Sequence, residues 1–549
     1  MLEELKLEKS IKELDLKEGQ GLILKLLNII EEQGKVISEM KLEIQNLRDE
    51  NARLKGNNPK PKFPGTKNKD KNISSEKERA EKKIWKKSDK KNNLSIDEKK
   101  VCRVDKKELP LDAMFMGYEE VLVQGIELKR NNVMYLREKY YSPKLKKTYL
   151  GKLSEEYIGG FSKEIHALAI SLKFACNVSE PKILSFLNHL GISISSGTLS
   201  NILLNKHSEC FLKEKKDIVS AALDSSDYHQ TDTTQSSVNG EKHHTHVICN
   251  ENYTSYSTKQ NKSRISIIDV LRQDKPREYL FDTKAFDLMR ILKISSKSIL
   301  FLKTSLTINS SNIENNCKII LSELESLNLV KELKKSASIL ECAYISSYQT
   351  DTNSVKILMT DDAPQYNLIS ENLALCWIHE GRHYKKLSPI IKLHQEKLNE
   401  FLSQFWTFYK DLKLYKEKPN LVHKEKLEKE FDLLFSIKTG YDLLDDRINK
   451  TLAKKSQLLV VLDYPNIELH NNASELGVRQ QVRYRDVSLQ TKNEAGTKIK
   501  DALLTVVETA KKLNVSIWEY LLDRIDNKFK LTSLADLIRQ KNKFSSFST

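Results

Sequence analysis

Two segments far apart in the sequence each combine a strand pattern with an aspartate. The stretch around Asp232 contains a turn signal at Asn239-Gly240 and a second one after it, so it predicts three consecutive strands with Asp232 in the first. The apolar run 355–359 is typical of a buried strand and leads directly to Asp361. Because open α/β sheets place ligand groups at the carboxyl ends of their strands, this pair constrains the fold to a sheet with an acidic edge.

A third segment adds a glutamate from a helix. Asn471 or Asn472 can cap a helix whose first turn contains Glu475. Magnesium prefers hard oxygen ligands and keeps several waters, so a few carboxylates are enough to hold it. Two aspartates on strands and a glutamate on a helix form the layout that holds two divalent metals in RNase-H-like nucleases and transposases.

Each acid also has an ordinary structural interpretation. Asp232 fits a turn or an edge strand, and Asp361 or Asp362 could cap a following helix. Glu475 lies where it could complete a capping box or form a helix ion pair with Arg479. Taken one at a time these interpretations are preferred, and only the ordered set favours a metal site.

A seven-residue repeat of apolar side chains marks the N-terminal region. The first series is Ile23, Ile30, Ile37, Ile44 and Asn51, and the second is Leu26, Gln33, Met40, Leu47 and Leu54. Isoleucine at a with leucine at d favours a parallel two-stranded coiled coil, and the asparagine would fix its register. The alternative is a single amphipathic helix packed on its own protein. Gly19 and Gly21 predict that a preceding amphipathic stretch, 2–16, ends near them.

Positive charge is concentrated directly after this repeat. The chain of 549 residues has a net charge of +16, and residues 55–100 alone hold sixteen Lys and Arg against seven Asp and Glu. Together with Pro59, Pro61 and Pro64 this composition predicts a flexible basic linker. Such a linker either maintains solubility or attracts phosphates through counterion release, and composition does not separate the two.

A pair of short helices around a glycine turn follows. Ser179 can cap the first helix, Gly191 ends it, and Ser195 or Ser196 can cap a second helix that runs to about residue 206. This pattern predicts a helix-turn-helix near 179–206, although many helical hairpins share it. The residues of the second helix predicted to contact DNA are Ser196, Thr198 and Asn201.

Composition excludes several classes of protein. Hydrophobic residues make up 39% of the chain, which is enough for folded cores and excludes a wholly disordered protein. No run of 18 apolar residues occurs, so no membrane partner is expected, and the N-terminus lacks a signal-peptide pattern. The 7 cysteines are scattered without a C-x-x-C pair, which is typical of reduced thiols in the cytoplasm.

Four motif blocks together resemble the IS66 family of bacterial insertion-sequence transposases. The blocks are Gln230–Thr234 with Asn239–Lys242; Thr360-Asp361 with Tyr366, Cys376–His379 and Arg382; Asn471–Glu475 with Arg479 and Arg485; and Lys492–Gly496 with Glu508–Ala510 and Trp518–Leu521. The third block is the most specific, because an Asn-Asn-x-x-Glu run with arginines at this spacing is uncommon. The resemblance runs from the N-terminal repeat to about residue 525.

The resemblance implies a function as well as a fold. It implies a DDE-type transposase that hydrolyses a phosphodiester at the ends of its element and then joins the freed 3′ hydroxyl to target DNA. It implies that Asp232, Asp361 and Glu475 form the catalytic triad and hold two Mg²⁺ or Mn²⁺ ions. It also implies that small accessory proteins of the same element take part. Arg382, His379 and the two arginines of the third block, Arg479 and Arg485, are the residues expected to position DNA phosphates.

The sequence departs from the family pattern in three places. An acidic residue usually follows the first aspartate, whereas Thr233 stands here. Family members often carry a cysteine zinc module before the helix-turn-helix, whereas only Cys102 stands in that region, so no zinc is expected there. The interval between the two aspartates is long for the family. The spacing of Cys376, His379 and His383 suits a metal, but zinc is disfavoured because no fourth ligand is evident.

These observations predict an α+β multidomain chain of a bacterial, DNA-associated cytoplasmic protein. Its predicted parts are a coiled-coil region at 1–55, a basic linker at 56–100, a DNA-binding region at 101–215, an RNase-H-like mixed-sheet core at 216–525 and a tail at 526–549. Helical insertions in the core are expected near 276–350 and 389–460. Its partners would be DNA and a further copy of the chain through the coiled coil. Two alternatives remain, namely an RNase-H-like nuclease without integration and an inactive DNA-binding transposase relic.

Overall fold

The computed structural model describes residues 16–55, 96–105, 114–126, 130–152, 160–309, 318–320, 335–352 and 354–545. The described helices are, in chain order, α1 (Leu16–Leu54), α2 (Lys163–Ile170), α3 (Glu180–His189), α4 (Ser196–Leu204), α5 (Ser208–Ser225), α6 (Arg264–Leu271), α7 (Thr283–Ile291), α8 (Ser296–Asn309), α9 (Ser336–Gln349), α10 (Trp377–Lys385), α11 (Lys392–Glu417), α12 (Leu421–Phe435), α13 (Asp442–Leu452), α14 (Lys455–Leu458), α15 (Val460–Asp463), α16 (Asn472–Ser488), α17 (Glu494–Lys512), α18 (Ile517–Ile525) and α19 (Leu534–Ser545). A π-helical turn, Ser171–Ala175, continues α2.

The described strands form three sheets. They are β1 (Lys139–Ser142), β2 (Lys147–Leu150), β3 (Tyr228–Val238), β4 (Glu241–Cys249), β5 (Thr254–Lys259), β6 (Glu278–Leu280), β7 (Lys318–Ile320), β8 (Ile357–Thr360) and β9 (Asn372–Leu375). The central sheet has the order β5-β4-β3-β8-β9, and each of the two remaining sheets is a pair, β1-β2 and β6-β7. The protein is therefore mixed α+β, as the sequence predicts.

The central sheet joins an antiparallel half to a parallel half. β3, β4 and β5 pair antiparallel as consecutive strands, whereas β8 runs parallel to β3 and β9 runs parallel to β8. The predicted turn between β3 and β4 is present, and Asn239 and Gly240 adopt φ values of 50° and 82°. Positive φ at both central residues suits the twist of a two-residue hairpin, and glycine tolerates it without steric cost. The three predicted consecutive strands are thus confirmed.

Helix α17 covers the outer edge of this sheet. Its Thr509, Thr505 and Asp501 side chains accept hydrogen bonds from the backbone N–H groups of Thr254, Tyr256 and Thr258 on β5 at 3.3, 3.1 and 2.7 Å. These are donors that a neighbouring strand would otherwise satisfy. Side chains of one helix therefore replace a sixth strand and protect the edge from pairing with another chain.

The predicted insertion near 389–460 is helical and has its own aromatic core. Four buried phenylalanines of α11 and α12 surround Trp377 of α10, namely Phe405, Phe408, Phe431 and Phe435. The Trp377 indole N–H donates to the Leu458 carbonyl at 2.9 Å. This satisfies the one polar group of the ring, so Trp377 belongs to the core. The described part of 276–350 is also mostly helical, through α7, α8 and α9, and carries the β6-β7 pair.

The helix pair α3–α4 is attached to the core through a buried lysine. The predicted N-cap of α4 is present, because Ser195 Oγ accepts from the Thr198 N–H at 3.1 Å. Lys173 is almost fully buried, and its Nζ contacts Glu180 of α3 at 3.3 Å and Ser488 of α16 at 3.0 Å. One side chain thus links the helix pair to the end of α16.

Helix α1 has two different faces. It begins at Leu16 and continues through Gly19 and Gly21, so the predicted break at these glycines is wrong. Glycine costs a helix only about 1 kcal/mol, which the other residues of so long a helix can offset. On one face Glu31 is buried, and its carboxylate accepts the backbone N–H groups of Ile390 and Ile391 at 2.8 and 3.1 Å.

The predicted a and d residues of α1 lie outside this contact. The described apolar members of the two series are 48–82% exposed, namely Ile23, Leu26, Ile30, Ile37, Met40, Ile44, Leu47 and Leu54. One face of α1 therefore packs on its own protein, while the predicted seam faces solvent and the coiled coil stays a prediction. None of the helices described has the length and apolar character required to cross a bilayer.

Candidate functional site

Asp232 lies on β3, and Asp361 directly follows the neighbouring parallel strand β8. Gln230 of β3 is paired with Met359 of β8, and each aspartate follows two residues later. The Asp232 carboxylate accepts the Thr233 N–H at 2.6 Å, and the Asp361 carboxylate accepts the Ala363 N–H at 3.2 Å. Parallel pairing thus brings two carboxylates that are far apart in sequence to the same level of the sheet.

The pKa of Asp232 records the acidic surroundings. Burial, and to a smaller extent the charges of Asp361 and Glu475, raise this pKa to about 7, while the hydrogen bond from Thr233 opposes the rise. Like charges close to a carboxylate disfavour its ionised form. The predicted three acids therefore share one electrostatic neighbourhood.

Glycine in helix α16 allows Glu475 to approach the sheet. A Cβ on Gly477 would lie 2.7 Å from Val247 Cγ1 of β4, and the Tyr256 hydroxyl of β5 donates to the Gly477 carbonyl at 3.1 Å. The contact sets how closely α16 lies over β4 and β5, two residues after Glu475. Analysis of the sequence missed Gly477, and its signal is a glycine in a helix interior, where a packing reason is expected.

Glu475 is held by two residues of α10. Its Oε1 lies 3.0 Å from Arg382 Nη1 and 3.4 Å from His379 Nε2, and the Glu475 side chain is 18% exposed. Arg382 Nη1 also donates to His379 Nε2 at 3.1 Å. Burial lowers the pKa of His379 and the Arg382 charge lowers it further, whereas Glu475 raises it. His379, Arg382 and Glu475 therefore form one compact polar group.

A second acidic group lies close by but is already neutralised. The ligand atoms of Asp362, Glu380 and His383 all lie within 4.8 Å of one another. Lys454 Nζ bonds Asp362 and lies 3.7 Å from Glu380, and Arg447 bonds Glu380. Two cations already compensate the two carboxylates, so this group is better explained as a buried ion-pair network than as a metal site.

Among the described residues, the carboxylates of Asp232, Asp361 and Glu475 do not come within this 4.8 Å spacing of one another. Three ionised carboxylates repel each other without a cation between them, and Arg382 holds Glu475 in an ion pair instead. The residues fit a divalent cation in their chemistry, since they are oxygen donors with excess negative charge in a partly buried place.

Cys376, His379 and His383, whose spacing suits a metal, do not meet around one point in the fold. His379 lies against Glu475, whereas His383 lies with Asp362 and Glu380. Burial raises the pKa of Cys376 to about 11, which disfavours the thiolate that a metal would need.

The residues predicted to contact DNA fall into separate places. Arg479 is exposed on α16, two residues before the buried Gln481. Arg485 donates to the Gln235 carbonyl of β3. This hydrogen bond joins α16 to the strand, so Arg485 has a structural contact. Ser196 and Asn201 are exposed on α4, and Thr198 Oγ1 contacts Ser195 Oγ at 2.9 Å.

Comparison with known proteins bears on this site. The family model described as "Transposase IS66 family" matches residues 345–499. A protein of Sinorhizobium fredii, described as "Uncharacterized protein y4jO", is 29% identical over 317 residues, which cover 56% of this chain and 94% of that protein. No solved structure matches the chain. The resemblance is thereby confirmed over residues 345–499, the stretch that contains Asp361 and Glu475 and that matches the IS66 transposase family model.

Proposed function

We propose that the chain is a DDE-type DNA transposase of an insertion sequence, in which Asp232, Asp361 and Glu475 form the catalytic site. The observation that carries the proposal is the packing of three distant segments, since β3 with Asp232 pairs with β8, which leads to Asp361, and also contacts α16, which carries Glu475. The effect of Asp361 and Glu475 on the pKa of Asp232 agrees with this arrangement. The family match over residues 345–499 supports a transposase role. It does not include Asp232, so the structural evidence for that residue is independent of the match.

The strand order supports an RNase-H-like core. Three antiparallel strands followed by two strands parallel to the first, in the order β5-β4-β3-β8-β9, describe the mixed sheet expected for that class. In this sheet the first acid lies on the central strand β3 and the second directly follows β8. The helix that carries the third acid, α16, packs on β3 and β4.

In this proposal the three carboxylates hold two Mg²⁺ or Mn²⁺ ions. When bound, the ions would activate the attacking water or 3′ hydroxyl and stabilise the leaving oxygen of an in-line displacement. A bound cation would offset the repulsion among the three carboxylates and would so favour the ionised form of Asp232. Arg382, His379 and Arg479 position the DNA phosphates. The reaction hydrolyses a phosphodiester at the element's end and then transfers the 3′ end to target DNA.

The remaining regions supply DNA affinity and assembly. The α3–α4 pair presents Ser196, Thr198 and Asn201 as a candidate helix-turn-helix, and the basic stretch predicted at 56–100, of which residues 56–95 lie outside the described part, would attract phosphates without sequence preference. The exposed a and d seam of α1 supports a parallel homodimer, since a second copy is its natural complement. Accessory proteins of the same element and location on DNA in a bacterial cytoplasm are further parts of this proposal.

Cleavage of DNA that carries the element's ends tests the proposal. Asp232→Asn and Asp361→Asn are each expected to abolish cleavage while DNA affinity changes little, because both changes remove a charge and keep the shape. Asp362→Asn is the matched control, since Asp362 is the adjacent acid and pairs with Lys454. Cleavage that survives the first two changes would refute the assignment. Products joined to target DNA separate a transposase from a nuclease, and their absence with intact cleavage would favour the nuclease.

A further inference from the structure

Arg382 occupies a position between the acidic site and the solvent-facing end of α10. Its Nη1 lies 3.0 Å from Glu475 and 3.1 Å from His379 Nε2, so one nitrogen bridges both side chains. The Arg382 side chain is 25% exposed, and Glu475 is 18% exposed. An ion pair at this depth is only partly screened by water, so it contributes to holding the carboxylate in place.

We propose that Arg382 is a positioning residue that holds Glu475 while no divalent cation is bound and moves to a DNA phosphate when a cation takes that carboxylate. The inference rests on the proposed function, because it requires Glu475 to be a metal ligand. A cation would compete with the guanidinium for the charge of this carboxylate, and two positive groups on one carboxylate repel each other. The planar fork of an arginine suits a carboxylate and a phosphate equally well.

The exchange would couple metal binding to DNA binding. Without a metal the Arg382–Glu475 pair neutralises both partners, so neither is available to a ligand. With a metal bound, the guanidinium loses its counterion at a site where DNA brings phosphates. Binding of the cation therefore favours binding of DNA, and binding of DNA favours binding of the cation to the same degree, because coupling between two sites is reciprocal.

A titration of the full chain with Mn²⁺ in the absence of DNA tests the first half of the exchange. The concentration of free Mn²⁺ is measured by electron paramagnetic resonance and gives the affinity. Arg382→Gln is expected to bind Mn²⁺ roughly three- to tenfold more tightly than the wild type, because the ion no longer displaces the guanidinium. Arg382→Lys should fall between them, since it keeps the charge but loses the fork. Arg483→Gln is the control, because it removes an exposed arginine of α16 well beyond Glu475.

The outcomes separate the two proposals. Equal or weaker Mn²⁺ binding by Arg382→Gln, together with a loss of binding in Glu475→Gln, would overturn the role of Arg382 and leave the metal site standing. Equal binding by the wild type and Glu475→Gln would overturn the metal site itself. A tighter Arg382→Gln is a gain that damage to the fold does not produce. If Arg483→Gln gained as much Mn²⁺ affinity, the change in net charge would explain the gain in Arg382→Gln. That result would also overturn the exchange.

DNA affinity in the presence of Ca²⁺ tests the second half. Arg382→Gln is expected to bind DNA as the wild type does without a divalent ion, and about three- to tenfold more weakly with Ca²⁺, since one phosphate contact is then missing. Equal affinities under both conditions would overturn the transfer to phosphate.

Discussion

A side chain on Gly477 would overlap Val247, because a Cβ at this position would lie 2.7 Å from Val247 Cγ1. The same Cβ would lie 3.2 Å from Thr254 Cγ2. The helix that carries Glu475 can therefore lie on β4 and β5 only because residue 477 has no side chain. The depth of this contact governs where the glutamate stands relative to the two aspartates.

Gly477→Ala should accordingly displace α16 and reduce catalysis. We expect a loss of about 1–3 kcal/mol in the free energy of unfolding, typical of overpacking in a core, and a larger proportional loss of DNA cleavage. Denaturant unfolding and cleavage of end-containing DNA measure the two effects. Gly21→Ala in α1 is the control, because no atom lies within 4 Å of its Cβ and alanine favours a helix by about 1 kcal/mol. Full activity in Gly477→Ala would contradict the idea that this contact positions Glu475.

Glu31 should attach α1 to the start of α11. It is 1% exposed and accepts the N–H groups of Ile390 and Ile391, which no helical carbonyl can satisfy at a helix start. Glu31→Ala leaves these part-buried donors without this partner, so we expect a cost of about 1–3 kcal/mol and faster hydrogen exchange at both amides. Glu32→Ala, the exposed neighbour, should change neither measurement. Unchanged exchange in Glu31→Ala would show that α1 is not anchored there.

Local patterns of the sequence were sufficient to predict the elements that carry the acids. The turn at Asn239-Gly240 and the apolar run before Asp361 depend on neighbouring residues, so both strands could be predicted. The coverage of β5 by Thr505 and Thr509 could not, because it joins segments about 250 residues apart and has no periodic signature. Contacts of that kind depend on the whole fold rather than on local propensity.

The surroundings of the acids were predicted less completely than their positions. Arg485 fits a phosphate contact by its spacing, yet it bonds the Gln235 carbonyl, because α16 lies along β3 and a strand carbonyl is within its reach. Asp362 could not be separated from Asp361 in the sequence, whereas the structure pairs it with Lys454, a residue from a different helix region. The role of such a residue depends on side-chain partners from distant segments, which the local sequence does not reveal.

Substitution in the seam of α1 should separate the two copies of the proposed dimer. Ile30 and Ile37 are 55% and 51% exposed at consecutive a positions. Lysine at both positions would place four like charges along one dimer axis, so we expect a monomer in sedimentation equilibrium. Leu42→Lys is the control, since Leu42 is 67% exposed but lies outside the a and d series. A wild-type chain that sediments as a monomer would contradict the proposed dimer itself.

The raised pKa of Asp232 should make the stability of the metal-free protein depend on pH. A carboxyl whose pKa rises from 3.8 in the unfolded chain to about 7 in the fold binds its proton more tightly when folded. Its contribution to stability is therefore complete below pH 3.8 and is lost as the pH rises through about 7. Asp232→Asn removes this dependence, so the stability of the variant relative to the wild type should increase with pH over this range, by no more than roughly 4 kcal/mol.

Urea unfolding of both proteins in a chelator, at several pH values between 5 and 8, measures this difference. Buried histidines also make stability depend on pH; burial lowers the pKa of His229, for example, to about 4. They destabilise both proteins equally at acidic pH, so their contribution cancels when the two proteins are compared. Adding Mg²⁺ should then stabilise the wild type more than Asp232→Asn at pH 8, because the cation binds the folded state and replaces the missing proton. A stability difference that stays constant with pH would contradict the raised pKa of Asp232, and with it the burial of this carboxyl in the metal-free fold.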